Sequence, residues 1–160
     1  MGVQKARLAS LIAIRFVASG ASFGPVPAVA QSDQQRKWCN EKDGAPDQRI
    51  SGCTAVIQSG SLADRSLAPA FNNRGIAYAD KGQHDRAIQD FDQAIRLDPG
   101  SASLFNNRGR AYSAKGQYDR AIPDFDQAIR LDPTKADAFH DRGRAYGEKG
   151  QSGAAPLVLF

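Results

Sequence analysis

The chain has 160 residues, of which 21 are Lys or Arg and 17 are Asp or Glu, so its formal net charge is +4. This length suits one domain with a hydrophobic core. Beyond residue 31 the two signs of charge are interleaved, which argues against the basic face or run that nucleic-acid binding requires. We therefore predict no nucleic-acid partner.

Residues 1–30 have the pattern of a secretory signal peptide. Lys5 and Arg7 form a basic start, residues 8–14 are apolar, and a small-x-small cleavage site ends at Ala30. The apolar stretch is too short to span a membrane, which takes about 20 apolar residues, and the arginine that follows it leaves a disordered N-terminus as the alternative. Removal of this leader, with its three basic residues and no acid, would lower the net charge to +1. We predict an exported protein, periplasmic or secreted, with no membrane span in the mature chain.

Two cysteines, Cys39 and Cys53, follow the predicted leader. In an oxidising compartment an even number of cysteines favours a disulfide, with a free buried pair as the alternative. There is no second cysteine pair, and His84 and His140 do not stand at ligand spacing. The sequence therefore predicts neither a metal site nor another cofactor.

The segment around the second cysteine has a helical pattern. Its apolar residues share one helical face and are Ile50, Cys53, Val56 and Ile57. Asp47, which follows a proline, is the predicted N-cap of this helix. Trp38 and Cys39 are predicted to lie on a short preceding helix, so a disulfide would join two antiparallel helices.

A long stretch of the sequence then occurs twice. Residues 71–99 and 105–133 are identical at 24 of 29 positions, and a third version of the opening begins at Phe139. The three versions begin at equal intervals, at Phe71, Phe105 and Phe139. Repetition at a period of this size is typical of solenoids, in which each unit buries its apolar faces against its neighbours.

Each repeat has the pattern of two helices joined by a turn. In the first repeat, two sets of residues are spaced so that each occupies one helical face: Phe71, Gly75 and Tyr78, then Ala87, Phe91 and Ala94. Gly82 can adopt the left-handed conformation that ends a helix, and Pro99 ends the second helix. The predicted fold class is all-α, built from antiparallel hairpins.

The pattern F-x-x-x-G-x-x-Y, A-x-x-x-F-x-x-A and P resembles the tetratricopeptide repeat. It is complete at Phe71, Gly75, Tyr78, Ala87, Phe91, Ala94 and Pro99, and again at Phe105, Gly109, Tyr112, Ala121, Phe125, Ala128 and Pro133. The third unit supplies Phe139, Gly143 and Tyr146 before the match ends. The resemblance implies a right-handed superhelix, a solenoid of helix pairs whose concave groove binds partners, and it implies no catalysis.

On this basis the chain divides into five segments. These are a signal peptide at 1–30, a degenerate first hairpin with the cysteine pair at 31–67, complete repeats at 68–101 and 102–135, and an incomplete third repeat with a poorly ordered tail at 136–160. Pro123 stands inside the second helix of the second repeat, where it predicts a kink or a late helix start. The third unit lacks the capping element that a solenoid needs.

The resemblance places the first helix of each repeat along the groove. The candidate groove residues are Asn72, Asn73, Ile76, Asn106, Asn107, Arg110, His140 and Arg144. In some members of the family, amides at the positions of Asn73 and Asn107 form a ladder that hydrogen-bonds the backbone of an extended peptide. Asp141 departs from this pattern in the third unit. The alternative is that the amides are solvated or tie helices together.

Two groups of arginines have different expected roles. Arg110 and Arg144 could meet an acidic group of a partner, or could pair with nearby acids in weak surface ion pairs. Arg74, Arg108 and Arg142 stand where the family usually has an apolar residue. We expect their aliphatic stems to pack and their guanidinium groups to contact Asp carboxylates or water.

The predicted function is non-catalytic binding of an extended peptide or partner helix, with a protein or peptide as partner. The alternatives are self-association through the uncapped third repeat, which would give a homo-oligomer, and a truncated remnant without its own ligand. An enzyme would require a nucleophile beside a base, or paired carboxylates in a cleft. The sequence offers neither, and it has no Gly-rich phosphate loop.

Overall fold

The computed structural model describes residues 28–41, 43–59 and 64–153, which contain α-helices, a short 3₁₀ turn at Asp64–Leu67 and no β-strand. The helices are α1 (Ala28–Asn40), α2 (Pro46–Gln58), α3 (Ala68–Asp80), α4 (His84–Leu97), α5 (Ala102–Ala114), α6 (Tyr118–Leu131) and α7 (Ala136–Gly153). The predicted leader lies outside the described residues except for its last three, which begin α1, and the predicted tail lies outside them from residue 154. No helix in the described ranges is long and apolar enough to cross a membrane.

The helices form a stack of antiparallel hairpins. Each helix packs against the next one along the chain, and α5 also touches the two other first helices, α3 and α7. The predicted all-α solenoid is confirmed.

A glycine makes the turn inside each complete repeat. Gly82 and Gly116 both have φ of +70°, a conformation that side-chain-bearing residues rarely adopt. In the first repeat the N–H of Gln83 donates to the carbonyl of Tyr78 at 2.9 Å, and the N–H of Gly82 donates to that of Ala79 at 2.9 Å. These two bonds define a Schellman motif, which satisfies the last carbonyls of α3.

Glycines also set the distance between the paired helices. A Cβ atom built on Gly75 would lie 2.7 Å from the ring of Phe91, and one on Gly109 would lie 2.7 Å from the ring of Phe125. Both rings are buried in the core. The ring of each second helix therefore rests directly on the backbone of its first helix.

The N-terminal hairpin packs against α3. A disulfide joins Cys39 on α1 to Cys53 on α2, and both cysteines are buried. The buried Arg49 donates from Nη1 to Asp80 Oδ2 at 3.0 Å, which links α2 to the end of α3. The prediction of Asp47 as N-cap is wrong: α2 begins two residues earlier than that cap implies, with Ala45 in the N-cap position, so Asp47 lies in the first turn.

One helix starts earlier than predicted, and another is longer than its counterparts in the repeats. α6 does not begin late at Pro123: it begins at Tyr118, the position equivalent to His84, which begins α4 in the first repeat. α7 continues as a helix through Gly150, the position equivalent to the turn glycines Gly82 and Gly116, and ends at Gly153. On α7, the side chains of Phe139 and Tyr146 are exposed.

Candidate functional site

A cavity of about 500 Å³ lies along the first helices α3, α5 and α7. We call it the groove. Its apolar surface comes from Ile76, Ala79, Phe91, Ala111, Ala114 and Ala145, and its polar groups come from Asp80, His84, Asn107, Arg110, Ser113, Tyr118, Arg144 and Glu148. The groove therefore combines an apolar surface with hydrogen-bonding groups of both charges, which is the composition of a ligand-binding site.

The groove is where the two near-identical repeats differ. Five positions differ between residues 71–99 and 105–133, and at four of these positions both copies line the groove: Ile76 and Arg110, Ala79 and Ser113, Asp80 and Ala114, His84 and Tyr118. Exposure alone does not explain this, because the exposed Asp85 and Arg96 are retained one repeat later as Asp119 and Arg130. The differences between the repeats are therefore concentrated at one surface.

Two guanidinium groups face solvent beside the groove. The side chains of Arg110 and Arg144 are 60% and 57% exposed. Both approach the carboxylate of Asp141, at 3.8 Å from Arg110 Nε and 3.6 Å from Arg144 Nη2. Both distances exceed those of ordinary hydrogen bonds, so donors on each arginine remain available to an anionic group.

Two buried polar atoms of the groove residues have no hydrogen-bond partner within the described part of the chain. They are Nδ1 of His84 and Oγ of Ser113. Leaving such an atom unsatisfied costs about 1–3 kcal/mol, so a ligand or water that reached it would be favoured. The described residues contain no group of acidic, histidine or cysteine side chains placed to hold a metal ion.

Half of the predicted site residues line the groove, namely Ile76, Asn107, Arg110 and Arg144. The amide of Asn107 is already engaged, since its Nδ2 donates to Asn72 Oδ1 at 2.9 Å. The Nδ2 of Asn73 donates to the backbone carbonyl of Cys39 at 3.0 Å. These asparagines tie α5 to α3 and α3 to α1.

The other predicted residues lie away from the groove. Asn106 is 1% exposed, and its Nδ2 is 3.4 Å from Asp141 Oδ2, so it joins α5 to α7 and does not face a ligand. His140 is 76% exposed, and its Nδ1 is 3.8 Å from Asp141 Oδ1. Neither residue lines the groove.

Arg74 and Arg108 stand where the family usually has an apolar residue, and both contact aspartates, as expected. Arg74 donates from Nε and Nη2 to the two carboxylate oxygens of Asp90, both at 2.8 Å. Arg108 makes the same bidentate pair with Asp124, at 2.9 and 2.6 Å. These hydrogen bonds raise the pKa of both arginines, whereas burial raises the pKa of Asp124 against the effect of Arg108.

Two arginines of this group, Arg108 and Arg142, also link successive repeats. Arg108 Nη1 donates to Asp92 of the first repeat at 2.6 Å, and Arg142 Nη1 donates to Asp126 of the second at 2.7 Å. The guanidinium carbons of Arg108 and Arg142 lie 5.7 and 5.6 Å from the ring centroids of Phe105 and Phe139. Equivalent residues of successive repeats therefore make the same contacts along the stack.

The predicted site residues do not include five polar residues of the groove: Asp80, His84, Ser113, Tyr118 and Glu148. None belongs to a catalytic or metal-binding pattern, and none occurs in both repeats. The signal that identifies the first four is the set of differences between the repeats, which can be read from the sequence without a structure.

Two models of the tetratricopeptide repeat match the chain, one at residues 62–102 and 72–136 and the other at 125–155. The chain belongs to the tetratricopeptide repeat family. No curated protein sequence matches it.

Solved structures of this fold are similar to the chain. The second repeat domain of Spaghetti (RPAP3), bound to the HSP90 peptide SRMEEVD, has 33% identity and a TM-score of 0.53, with 54% of this chain and 81% of that chain covered. The second domain of human RPAP3, in complex with the HSP70 peptide SGPTIEEVD, has 25% identity and a TM-score of 0.62, covering 74% and 94%. The Arabidopsis OM64 domain shares the fold at 22% identity and a TM-score of 0.65, covering 74% and 96%.

Proposed function

We propose that the protein is a non-catalytic binding module that holds an extended polypeptide segment with an acidic group in the groove. The observation that carries this proposal is the position of the sequence differences: of the five positions that differ between residues 71–99 and 105–133, four line the groove in both copies. The core residues Ala87 and Phe91 recur unchanged as Ala121 and Phe125. A ligand that lies across both repeats meets a different side chain at each step, which gives it one preferred register.

The groove offers a distinct contact for each part of such a segment. The exposed guanidinium groups of Arg110 and Arg144 suit a carboxylate. The unsatisfied atoms of His84 and Ser113 suit backbone groups of the ligand. Ile76 and the alanines supply apolar surface for a ligand side chain.

The similar solved structures support an acidic ligand. The peptides bound by the two RPAP3 domains both end in EEVD, which is acidic. Asn73 and Asn107 hold neighbouring helices, so in this proposal they position the groove and the arginines contact the ligand.

The test is a selection of random peptides with free C-termini on the folded protein. The selection is repeated on a variant whose second repeat is converted to the first at the groove, by Arg110→Ile, Ser113→Ala, Ala114→Asp and Tyr118→His. Each new side chain is already accommodated at the equivalent position of the first repeat, so the fold should persist and circular dichroism checks it.

The expected result is enrichment of peptides rich in Asp and Glu that bind the wild type and not the converted variant. Their affinity should also fall as salt is raised, since exposed charges are screened. Gln89→Pro serves as the matched control, because it is the fifth difference between residues 71–99 and 105–133 and lies outside the groove. Equal enrichment on wild type and converted variant would contradict the proposal.

We also propose that the protein is exported. The support is the leader pattern of residues 1–30 together with the buried cysteine pair, since disulfides persist in oxidising compartments. Mass spectrometry of the protein from its native source, with thiols alkylated before lysis, tests both parts. Cleavage near Ala30 and unlabelled cysteines are expected, whereas an uncleaved leader would contradict export.

A further inference from the structure

In each complete repeat the second helix places an Asp-Phe pair on the first helix. Asp90 binds Arg74 in bidentate fashion while the adjacent Phe91 rests on Gly75. One repeat later, Asp124 binds Arg108 and Phe125 rests on Gly109. The recognition surface on the first helix is thus an arginine followed by a glycine, with a phenylalanine one helical turn before the arginine.

α7 carries the same surface, and no second helix is packed on it within the described residues. Phe139, Arg142 and Gly143 stand at the equivalent positions. A Cβ atom built on Gly143 meets no atom of the described chain within 4 Å, and Phe139 and Tyr146 are 42% and 54% exposed. We call Phe139, Arg142, Gly143 and Tyr146 the α7 face.

We propose that the α7 face binds an amphipathic helix from another polypeptide, one that presents an aspartate directly before a phenylalanine. The phenylalanine would lie on Gly143, and the aspartate would accept hydrogen bonds from Arg142. Arg142 already holds Asp126 through Nη1, and in Arg108 the corresponding contact with Asp92 coexists with the bidentate pair. The geometry of the second repeat therefore leaves Arg142 two further donors for a partner carboxylate.

Charge decides between the possible occupants. In the repeat register, the residues of this chain that correspond to the Asp-Phe pair are Val158 and Leu159, and residues 154–160 contain no Asp or Glu. A folded second copy cannot provide the pair either, because Asp90, Phe91, Asp124 and Phe125 are buried in its own stack. A helix of a different polypeptide is the occupant that satisfies both the ring and the charge.

The chain itself supplies a probe for this surface. A fluorescent, end-blocked peptide with the sequence of residues 84–97, HDRAIQDFDQAIRL, contains the pair in its native helical context. Titration of this peptide with the full chain, followed by anisotropy, should give saturable binding. Replacing the aspartate before the phenylalanine by asparagine should weaken binding about tenfold, as loss of a charged hydrogen-bond pair does.

Variants of the chain locate the binding surface. Arg142→Met should weaken peptide binding about as much as the change of the peptide's aspartate to asparagine does. Gly143→Leu should abolish binding, because its side chain would occupy the place of the peptide's phenylalanine ring. Arg142→Asp should bind a peptide whose aspartate is replaced by arginine better than it binds the original peptide. Arg96→Met, at an exposed arginine outside both the groove and the α7 face, is the control and should leave peptide affinity unchanged. Arg110→Ile tests whether the peptide binds in the groove instead. Circular dichroism verifies that each variant is folded.

Absence of binding by the wild type, or equal binding by wild type and the Arg142→Met and Gly143→Leu variants, would overturn the proposal. Loss of binding in Arg110→Ile alone would assign the peptide to the groove and would also overturn it. The remaining possible occupant is a second copy of the chain, and sedimentation of the chain without peptide tests for it. A monomer is expected, whereas a dimer that is lost in Gly143→Leu would make a second copy the occupant.

Discussion

The two ends of the helical stack differ in how they are covered. At the N-terminal end, a hairpin unlike the repeats covers α3, with a disulfide between Cys39 and Cys53 and a buried Arg49 bonded to Asp80. At the other end, α7 has the repeat's own residues, yet Phe139 and Tyr146 are exposed. The same repeat sequence can thus be core or surface, and the neighbouring helix decides which.

The largest expected effect is on the free energy of unfolding, and it distinguishes two tyrosines at equivalent positions, Tyr112 on α5 and Tyr146 on α7. Tyr112 is 5% exposed and Tyr146 is 54% exposed. Tyr112→Ala should lower the free energy of unfolding by about 3–5 kcal/mol, as buried aromatic truncations do. Tyr146→Ala should change it by less than about 1 kcal/mol, because little apolar surface is buried there.

Urea unfolding of both variants measures this difference. The comparison would fail if the two variants had equal midpoints, since Tyr146 would then be buried in solution.

The covered N-terminal end can be opened by removing its disulfide. The bond between Cys39 and Cys53 has a sequence separation of 14, and closing a loop of this size stabilises a folded chain by about 3 kcal/mol in the chain-entropy model. Replacement of both cysteines by alanine should lower stability by about this amount. Hydrogen exchange should show α1 and α2 opening before α5 and α6.

A reducing agent provides the control for this prediction. It should destabilise the wild type and leave the double alanine variant unchanged. A wild type whose stability is insensitive to reduction would contradict the contribution assigned to the bond.

A smaller effect is expected at the glycines that follow the repeat arginines. A Cβ atom on Gly109 would lie 2.7 Å from the ring of Phe125, so Gly109→Ala should destabilise by about 1–3 kcal/mol through overpacking. Gly143 has open space at the same position, so Gly143→Ala should stabilise α7 by about 0.5–1 kcal/mol through helix propensity. Thermal unfolding of the two variants should therefore give shifts of opposite sign. Shifts of the same sign would mean that the two glycines have equivalent surroundings.

The sequence predicted the repeating part of the fold because each local signal there agrees with the packing. Gly82 and Gly116 end their helices in the left-handed conformation, and Phe91 and Phe125 occupy the core where the periodicity places them. Gly150 carries the same turn signal, but α7 continues through it. A glycine permits a turn and does not enforce one, and the described residues place no second helix beside α7 that would favour the turn.

Tertiary packing also explains the other differences from prediction. Pro123 removes one backbone hydrogen bond, yet α6 keeps its start because the buried Ala121 and Phe125 fix the helix on either side of the proline. In the site, the asparagines were selected by resemblance, but Asn106 is buried against Asp141. Whether an amide contacts a ligand or a neighbouring helix depends on tertiary distances that the spacing of residues does not contain.

The smallest expected effect concerns the loops that lead into α5 and α7. In the loop before α5, Asp98 accepts a hydrogen bond from Arg65 of the N-terminal region at 3.1 Å. In the loop before α7, Asp132 accepts instead from the hydroxyl and the N–H of Thr134, at 2.7 and 3.0 Å. These bonds lower the pKa of Asp132, and the bond from the hydroxyl lowers it most.

Because the pKa of Asp132 is lower in the folded state than in the unfolded state, its contribution to stability is present above the unfolded pKa and is lost as the pH falls through the folded pKa. Thr134→Ala should raise the pKa of Asp132 towards its ordinary value while the backbone bond retains part of the depression, and Thr134→Ser should leave it low. Carboxyl chemical shifts followed by NMR from neutral to acidic pH measure both. If Thr134→Ala left the pKa of Asp132 unchanged, the loop before the open end would not depend on its own threonine, and the contrast with the loop held by Arg65 would disappear.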